Sequence, residues 1–182
     1  MLIVEWAPAV EAEGYCLPFG TEVMTHIEQY RGLRRQESVS AWKLLYDTAV
    51  ANGLECGAVV FGENGKPAFL DNRLYFSLAH SNGVCAAAIS DIPVGVDIEL
   101  YRDHISPHLM GKFLTESEKA SFDGDYIRLW CRKEALVKMT GIGVTGLPYH
   151  IDTSGYMYSD REIEYEGKRY CLTAVTEPRA GI

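Results

Sequence analysis

Two stretches of the chain have the interspersed polar and apolar residues that are typical of helices. The first runs from about Phe19 to Asn52, and Gly53 directly after it is the kind of residue that ends a helix. The second runs from about Asp125 to Thr140 and is followed by Gly141. Both segments are therefore predicted to be helical.

Strands are predicted between and after these helices. The stretch "LYFSLAHSNGVCAAAIS" contains two apolar runs joined by Asn82-Gly83, which indicates a tight hairpin with His80 near its end. A turn at 91–93 leads into another strand, so we expect a meander of at least three strands. The segment 149–178 is rich in Tyr, Ile, Val and Thr, which predicts two or three further strands. The fold class is thus expected to be α+β.

A weak internal symmetry suggests that the chain has two halves. The sequences "VCAAAIS" before Asp91 and "YCLTAVT" before Glu177 each end a block in which a helix is followed by strands. Chance would also explain this similarity. If the similarity reflects two related halves, we expect an N-terminal lobe of residues 1–91 and a C-terminal lobe of residues 92–182. The two lobes would be related by an approximate twofold axis within one compact unit.

Two carboxylates lie on one face of the strand "VGVDIEL". Side chains alternate between the faces of a strand, so Val94, Val96 and Ile98 point one way while Gly95, Asp97 and Glu99 point the other. The simplest interpretation of the acidic face is exposure to solvent. The second helix weakens that interpretation.

An acid and a base interrupt the apolar stripe of the helix 125–140. Glu134 and Lys138 fall within a stripe that also contains Ile127, Trp130, Cys131 and Val137. An exposed pair of this spacing contributes only about 0.3–0.5 kcal/mol, too little to justify removing both charges from water. A ligand or ion is the better explanation. Carboxylates without His or Cys partners suit a hard cation such as Mg²⁺, and hence phosphate chemistry.

The composition narrows the classes of function. The 47% apolar content allows a proper core, while the net charge of −8 argues against nucleic acid as a partner. No apolar run approaches ~18 residues and the N-terminus lacks a basic start, so we expect neither a membrane span nor a signal peptide, but a cytoplasmic protein. The five scattered cysteines fit neither a disulfide framework nor a CxxC metal site.

Four short motifs resemble those of the larger, two-lobed 4′-phosphopantetheinyl transferases. They are "NGKP" at 64–67, "FSLAHS" at 76–81, "VGVDIE" at 94–99 and "WCRKEALVKMTGIG" at 130–143, and they occur in the family's order. The resemblance implies two similar α+β lobes with the active site between them. A monomer is then expected, since one chain would form its site between its own halves.

The resemblance also implies a reaction and a metal site. The family transfers the phosphopantetheine arm of coenzyme A to a serine of an acyl or peptidyl carrier protein and leaves adenosine 3′,5′-bisphosphate. Asp97, Glu99 and Glu134 would bind Mg²⁺ on the pyrophosphate, and Lys138 would contact the same pyrophosphate. The catalytic residues would be Asp97, Glu134 and Lys138. Glu134 is the candidate acceptor of the serine proton, with a metal-bound water relayed by an acid as the alternative.

The resemblance also implies which residues bind the 3′-phosphate of coenzyme A, although the chain departs from the family pattern in this region. Lys66 and His80 fall where the family holds this group, and Arg35 or Lys43 would add to it. The chain departs from the family pattern in three respects: Ala79 replaces a frequent serine, Trp42 stands where a basic residue is expected, and the spacing between Asp97 and Glu134 is short. Because of these departures, a non-catalytic coenzyme A-binding or regulatory relative is one alternative. Another Mg²⁺-dependent phosphate enzyme, which the acids alone support, is a second.

Overall fold

The computed structural model describes residues 1–11, 17–71, 73–102, 114–142 and 151–178. Within these ranges the elements are, in chain order, β1 (Leu2–Pro8), α1 (Thr21–Ile27), α2 (Gly32–Ala51), β2 (Val59–Phe61), β3 (Pro67–Phe69), β4 (Tyr75–Ser81), β5 (Val84–Ser90), β6 (Val94–Leu100), α3 (Glu116–Lys119), α4 (Tyr126–Thr140), β7 (Tyr158–Tyr165) and β8 (Lys168–Thr176). The mixed content of helices and antiparallel strands agrees with the predicted α+β class. None of the helices in these ranges is long and apolar enough to span a bilayer.

The predicted helix from Phe19 to Asn52 is wrong as a single element, because it is broken between α1 and α2. Gly32 has a φ of 55°, outside the right-handed helical region, and the exposed carbonyl of Tyr30 accepts a hydrogen bond from the Arg31 guanidinium at 2.8 Å. The predicted end of the segment is confirmed, since Gly53 follows the last turn of α2 with a φ of 68°.

The hairpin at Asn82-Gly83 is confirmed, but the three-stranded meander is wrong. Asn82 and Gly83 have φ values of 49° and 91°, as a tight turn between paired strands requires, and they join β4 to β5. β6 does not pair with β5. It leaves that sheet and pairs with β8, which gives one sheet in the order β1-β5-β4 and another in the order β6-β8-β7.

The two sheets pack against each other and carry a helix on each outer face. α2 packs on β4 and β5, and α4 packs on β6 and β8. The inter-sheet core is built of small and branched side chains: Ala79, Val84, Ala86 and Ala88 from one sheet, and Val94, Val96, Ile98, Tyr170, Leu172 and Ala174 from the other. β6 is therefore covered on both faces, by the first sheet on one side and by α4 on the other.

Each sheet is built by the same succession of elements. A strand is followed by a helix and then by a hairpin, and the second hairpin strand pairs with the first strand and so lies at the centre of its sheet. The central strands β5 and β8 contain the two similar sequences "VCAAAIS" and "YCLTAVT". The division into lobes of residues 1–91 and 92–182 stays a prediction.

Gly95 allows α4 to lie directly on β6. A Cβ atom at this position would be 1.8 Å from the carbonyl oxygen of Ala135 and 2.7 Å from the amide nitrogen of Met139. Both are backbone atoms that no side-chain rotation can move away. Close contact between this strand and this helix therefore requires glycine, and it brings the other residues on the same face of β6 up to α4.

We expect Gly95→Ala to destabilise the protein by about 3 kcal/mol or more, because β6 and α4 must separate to admit the methyl group. Chemical denaturation monitored by circular dichroism measures this loss. Gly57→Ala is the matched control, since a Cβ there would meet only the Asp71 side chain at 3.7 Å, an ordinary contact distance. Equal stability of the two variants would contradict the assignment.

Candidate active site

Asp97 is buried between β6 and α4, so the interpretation of an exposed acidic face is wrong. The residue is 6% exposed, and its Oδ1 accepts a hydrogen bond from Nζ of Lys138 at 2.7 Å. Oδ2 is buried and has no hydrogen-bond partner. A buried carboxylate oxygen without a donor costs free energy, which marks this atom as an attachment point for a further ligand.

Glu99 lies two residues further along the same face and is held by neutral donors and one distant cation. Its carboxylate accepts hydrogen bonds from the Ser81 hydroxyl, at 3.3 Å, and from the Trp130 indole. The guanidinium of Arg102 is 4.0 Å away and largely exposed. Burial raises the pKa of Glu99, and the charge of Asp97 raises it further. Ser81 and Trp130 were not predicted as site residues, although both lie inside the quoted motifs.

Glu134 on α4 belongs to the same electrostatic cluster. Burial raises its pKa, the nearby charges of Asp97 and then Glu99 add to this, and only Lys138 acts in the opposite direction. Burial opposes the charge of Lys138, but Asp97 and then Glu134 outweigh burial and raise the pKa of the ammonium. The three predicted carboxylates thus lie within electrostatic reach of one another around one lysine. We call Asp97, Glu99 and Glu134 the acid cluster.

The acid cluster fits a divalent cation in its chemistry, although it is not arranged as a closed metal site. Among the described residues, no three His, Cys, Asp or Glu side chains are already placed so that they could hold a metal ion. Three features nevertheless favour a hard cation: the donors are all carboxylates, the charge of Asp97 raises the pKa of both Glu99 and Glu134, and Oδ2 of Asp97 has no partner.

The raised pKa values predict how stability depends on pH. Glu99 and Glu134 hold their protons to higher pH in the folded protein than in the unfolded chain, so the free energy of unfolding falls as pH rises through that interval. We expect Glu134→Gln to have a higher Tm than the wild type at pH ~7.5 and to lose this advantage near pH ~4, where the glutamate is protonated.

Thermal melts of both proteins at the two pH values, without divalent ions, measure the effect. Glu55→Gln removes an exposed carboxylate of the same size and is expected to leave Tm unchanged. A lower Tm of Glu134→Gln at neutral pH would show that Glu134 stabilises the fold and is not repelled within the cluster.

A cavity of about 260 Å³ opens between α2, the β2–β3 turn, β4 and α4. Its lining includes four of the predicted site residues, Lys66, His80, Glu134 and Lys138. Arg35 and Lys43 are absent from this lining, and Lys43 forms an ion pair with Asp47. The structure therefore brings together the two ends of the predicted coenzyme A site, but it does not place Arg35 or Lys43 there.

Lys66 joins the β2–β3 turn to the end of α4. Its Nζ donates to the carbonyl oxygen of Met139 at 2.7 Å, and the side-chain amide of Asn64 donates to that of Gly141 at 3.0 Å. These donors satisfy carbonyls that the last turn of a helix leaves without partners. Burial lowers the pKa of Lys66, against the opposing charge of Glu177.

The imidazole of His80 is paired with a buried acid on α2. Nδ1 lies 3.0 Å from Oε2 of Glu37, whose other oxygen accepts the Gly83 N–H at 2.6 Å. Burial lowers the pKa of His80 below its ordinary value; Glu37 raises it, while Lys138 and Arg34 lower it. Glu37 gave no signal in the sequence, because a single acid on a charged helix looks like a surface residue.

Aromatic side chains form the wall of the cavity on the side of α1 and α2. The rings of His26 and Phe61 are stacked with centroids 4.7 Å apart, and Trp42 is 3% exposed beside them. The Arg34 guanidinium lies 4.5 Å from the ring centroid of Tyr30, which also lines the cavity. Trp42 thus contributes to an aromatic wall at the position where a basic residue was expected.

Ala79, where the chain departs from the family pattern, and Lys133 of α4 both lie away from the cavity lining. Ala79 is buried in the core between the sheets, so a serine there would not face the cavity. Lys133 is fully buried and donates to Glu118, at 2.8 Å, and to the carbonyl of Ile151, at 2.6 Å. Glu118 in turn accepts from Thr115 and Thr153. Lys133 therefore connects α4 to α3, through Glu118, and to the segment that contains Ile151.

We expect Lys133→Ala to destabilise the protein by about 3–5 kcal/mol, because it leaves a buried carboxylate without its countercharge. Lys119→Ala, which removes only an exposed ion pair with Glu116, should cost no more than about 1 kcal/mol. Urea denaturation of the two variants compares these losses. Similar small effects would mean that Lys133 is not essential to the attachment.

Comparison with known proteins covers the part of the chain that contains the acid cluster. Residues 93–157 match the family model described as the 4′-phosphopantetheinyl transferase superfamily. Through this segment the chain is similar to that superfamily. The match includes the acid cluster and Lys138, whereas Lys66 and His80 lie outside it.

Curated relatives agree with the family model. The 4′-phosphopantetheinyl transferase AcpT of Escherichia coli is 36% identical over 94 residues, which are 46% of this chain and 48% of AcpT. The 4′-phosphopantetheinyl transferases psf-1 of Bacillus pumilus and gsp of Aneurinibacillus migulanus are 31% and 33% identical over 91 and 90 residues, 45% of this chain in each case and 39% and 37% of the relatives. These matches thus span about half of this chain and half or less of each relative.

Proposed function

We propose that the protein transfers the 4′-phosphopantetheine arm of coenzyme A to a serine of an acyl or peptidyl carrier protein, with Mg²⁺, and releases adenosine 3′,5′-bisphosphate. One observation carries the proposal: Glu134 and Lys138, which interact with the buried acids of β6, line the same cavity as His80 and Lys66. An acid cluster and a set of phosphate-binding cations at one cavity suit a pyrophosphate substrate. The similarity of residues 93–157 to the 4′-phosphopantetheinyl transferase superfamily supports the same reaction.

The positive groups of the cavity are local exceptions in an acidic chain. Lys66 and Lys138 line it together with His80, which is positive only when protonated, and the charge of Arg34 acts on His80. The chain as a whole carries a net charge of −8, so long-range attraction of an anion is weak. Coenzyme A would therefore be recognised by contact with these groups and with the aromatic wall.

The acid cluster, through a bound cation, and Lys138 would compensate the negative charge of the pyrophosphate. Bound to Asp97, Glu99 and Glu134, Mg²⁺ would supply charge compensation for the pyrophosphate oxygens. Lys138 is held by Asp97 and has a raised pKa, so it stays protonated and can donate to a phosphate oxygen as charge develops on the leaving group.

Glu134 is the residue of the acid cluster that we propose as the acceptor of the serine proton. It lines the cavity, and its raised pKa makes its carboxylate a stronger base than an ordinary glutamate. Asp97 is engaged by Lys138, and Glu99 is engaged by Ser81 and Trp130. Relay of the proton through a water held by the acids is the alternative.

The proposal includes the organisation of the protein. The repeated succession of elements supports two similar lobes with the cavity between them, since β4 and α2 form one wall and α4 forms another. A monomer follows, because one chain supplies every wall. The cysteines at 56, 85, 131 and 171 are unpaired thiols, which suits a protein of the cytoplasm.

The test is to incubate the protein with coenzyme A, Mg²⁺ and a panel of apo carrier proteins, and to measure the mass of each carrier. A phosphopantetheine adduct on at least one carrier is expected. Binding of coenzyme A without any adduct would favour a non-catalytic relative. Release of phosphate or phosphopantetheine without a carrier would favour another phosphate enzyme.

We expect Glu134→Gln to lower kcat by about 10²- to 10⁴-fold while coenzyme A still binds, because the base is lost and the cations of the cavity remain. Asp97→Asn should lower kcat as well, because Lys138 loses its partner. Steady-state transfer assays and calorimetry measure the two properties. Glu55→Gln serves as the control with full activity, and retained activity of Glu134→Gln would assign the proton to another acceptor.

A further inference from the structure

Glu37 is a buried acid that the proposed reaction does not use directly. It lies on α2, is 6% exposed, and engages the β4–β5 hairpin with both oxygens. Oε1 accepts the N–H of Gly83 at 2.6 Å, and Oε2 lies 3.0 Å from Nδ1 of His80. Burying a carboxylate is costly unless such partners are present. Glu37 therefore fixes the His80 ring relative to α2.

This contact determines which nitrogen of His80 carries a proton. An ionised carboxylate only accepts hydrogen bonds, so Nδ1 of His80 must be the donor in the pair, and Nε2 is left for a ligand in the cavity. In the neutral ring Nε2 is an acceptor and repels phosphate oxygens, which are acceptors too. It becomes a donor only when the imidazole is protonated.

The charges around His80 oppose each other. Glu37 on α2 favours the protonated ring, whereas burial, Lys138 on α4 and Arg34 on α2 disfavour it, and the pKa of His80 is lowered as a result. Lys66, His26, Tyr30 and Glu134 are the other titratable residues that line the same cavity. Among the described residues, Glu37 supplies the carboxylate that contacts the ring and that would balance the imidazolium charge when a phosphate binds.

We propose that Glu37 is a positioning residue that determines substrate specificity: it orients His80 and balances its charge, so that the cavity selects coenzyme A over the same molecule without its 3′-phosphate. The inference rests on the proposed function, because it assigns one recognition step at the coenzyme A site. It requires that His80 take up a proton when the phosphate monoester binds.

The experiment is to measure binding of coenzyme A and of 3′-dephospho-coenzyme A by calorimetry between pH ~5.5 and ~8. For the wild type, the preference for coenzyme A should fall by up to about tenfold per pH unit as pH rises above the pKa of His80. Glu37→Gln keeps an oxygen for the Gly83 N–H. It should bind coenzyme A about tenfold more weakly near pH ~6, bind the dephospho form unchanged, and show a flatter pH profile.

Two further variants make the result specific. Asp47→Asn removes an exposed carboxylate from the same helix and should leave both affinities unchanged. His80→Gln leaves Glu37 bonded to Gly83, and it should lower the preference by itself. Adding Glu37→Gln to His80→Gln should then cause no further loss of preference, as expected for two residues that act as one unit.

The outcomes separate this inference from the proposed function. Equal weakening of both ligands by Glu37→Gln, or an unchanged preference and pH profile, would overturn the role of Glu37 while coenzyme A binding stands. If Glu37→Gln does not fold, as judged by its melting curve, Glu37→Asp decides in its place, because its shorter side chain keeps the charge but draws it away from His80. An unchanged preference and pH profile of that variant would overturn the role of Glu37. A wild type that binds neither ligand would overturn the proposed function itself.

Discussion

The contact between β6 and α4 is the constraint on which the rest of the site depends. At Gly95 the helix backbone lies so close to the strand that even a methyl group has no room. The two residues that follow on the same face, Asp97 and Glu99, are therefore covered by the helix that presents Glu134 and Lys138. Close packing and the concentration of charge thus have one origin, and Lys138 is the countercharge that makes the burial of Asp97 tolerable.

Much of the fold was predictable because local signals and packing agree there. The hairpin at Asn82-Gly83, the end of α2 at Gly53, the helix α4 and the strands of the final segment all follow from turn residues and periodicity. The two errors in the predicted fold arise where the local sequence pattern gives no indication of the structure. The break before Gly32 depends on backbone conformation, and the departure of β6 into a second sheet depends on pairing with β8, which begins 74 residues after β6 starts (168 − 94).

The candidate site could be predicted where a residue is unusual in its own element. Charges on the apolar stripe of α4 pointed to Glu134 and Lys138, and the acids of β6 stood out beside a glycine. Glu37, Trp130 and Tyr30 could not be found in this way, since each is an ordinary residue for its element and acquires its role only through contact with distant parts of the chain. The resemblance to known motifs located Lys66 and His80, but it could not show that Lys66 also holds the end of α4.

The hydrogen bonds that join the β2–β3 turn to the end of α4 have a consequence for how such a protein can evolve. Asn64 and Lys66 come from the first half of the chain, and the carbonyls that they bind come from the second. Neither half can carry the cavity alone. Exchange of a single half between relatives by recombination would combine a turn and a helix end that had not been selected together, so the two halves are expected to be inherited as one unit.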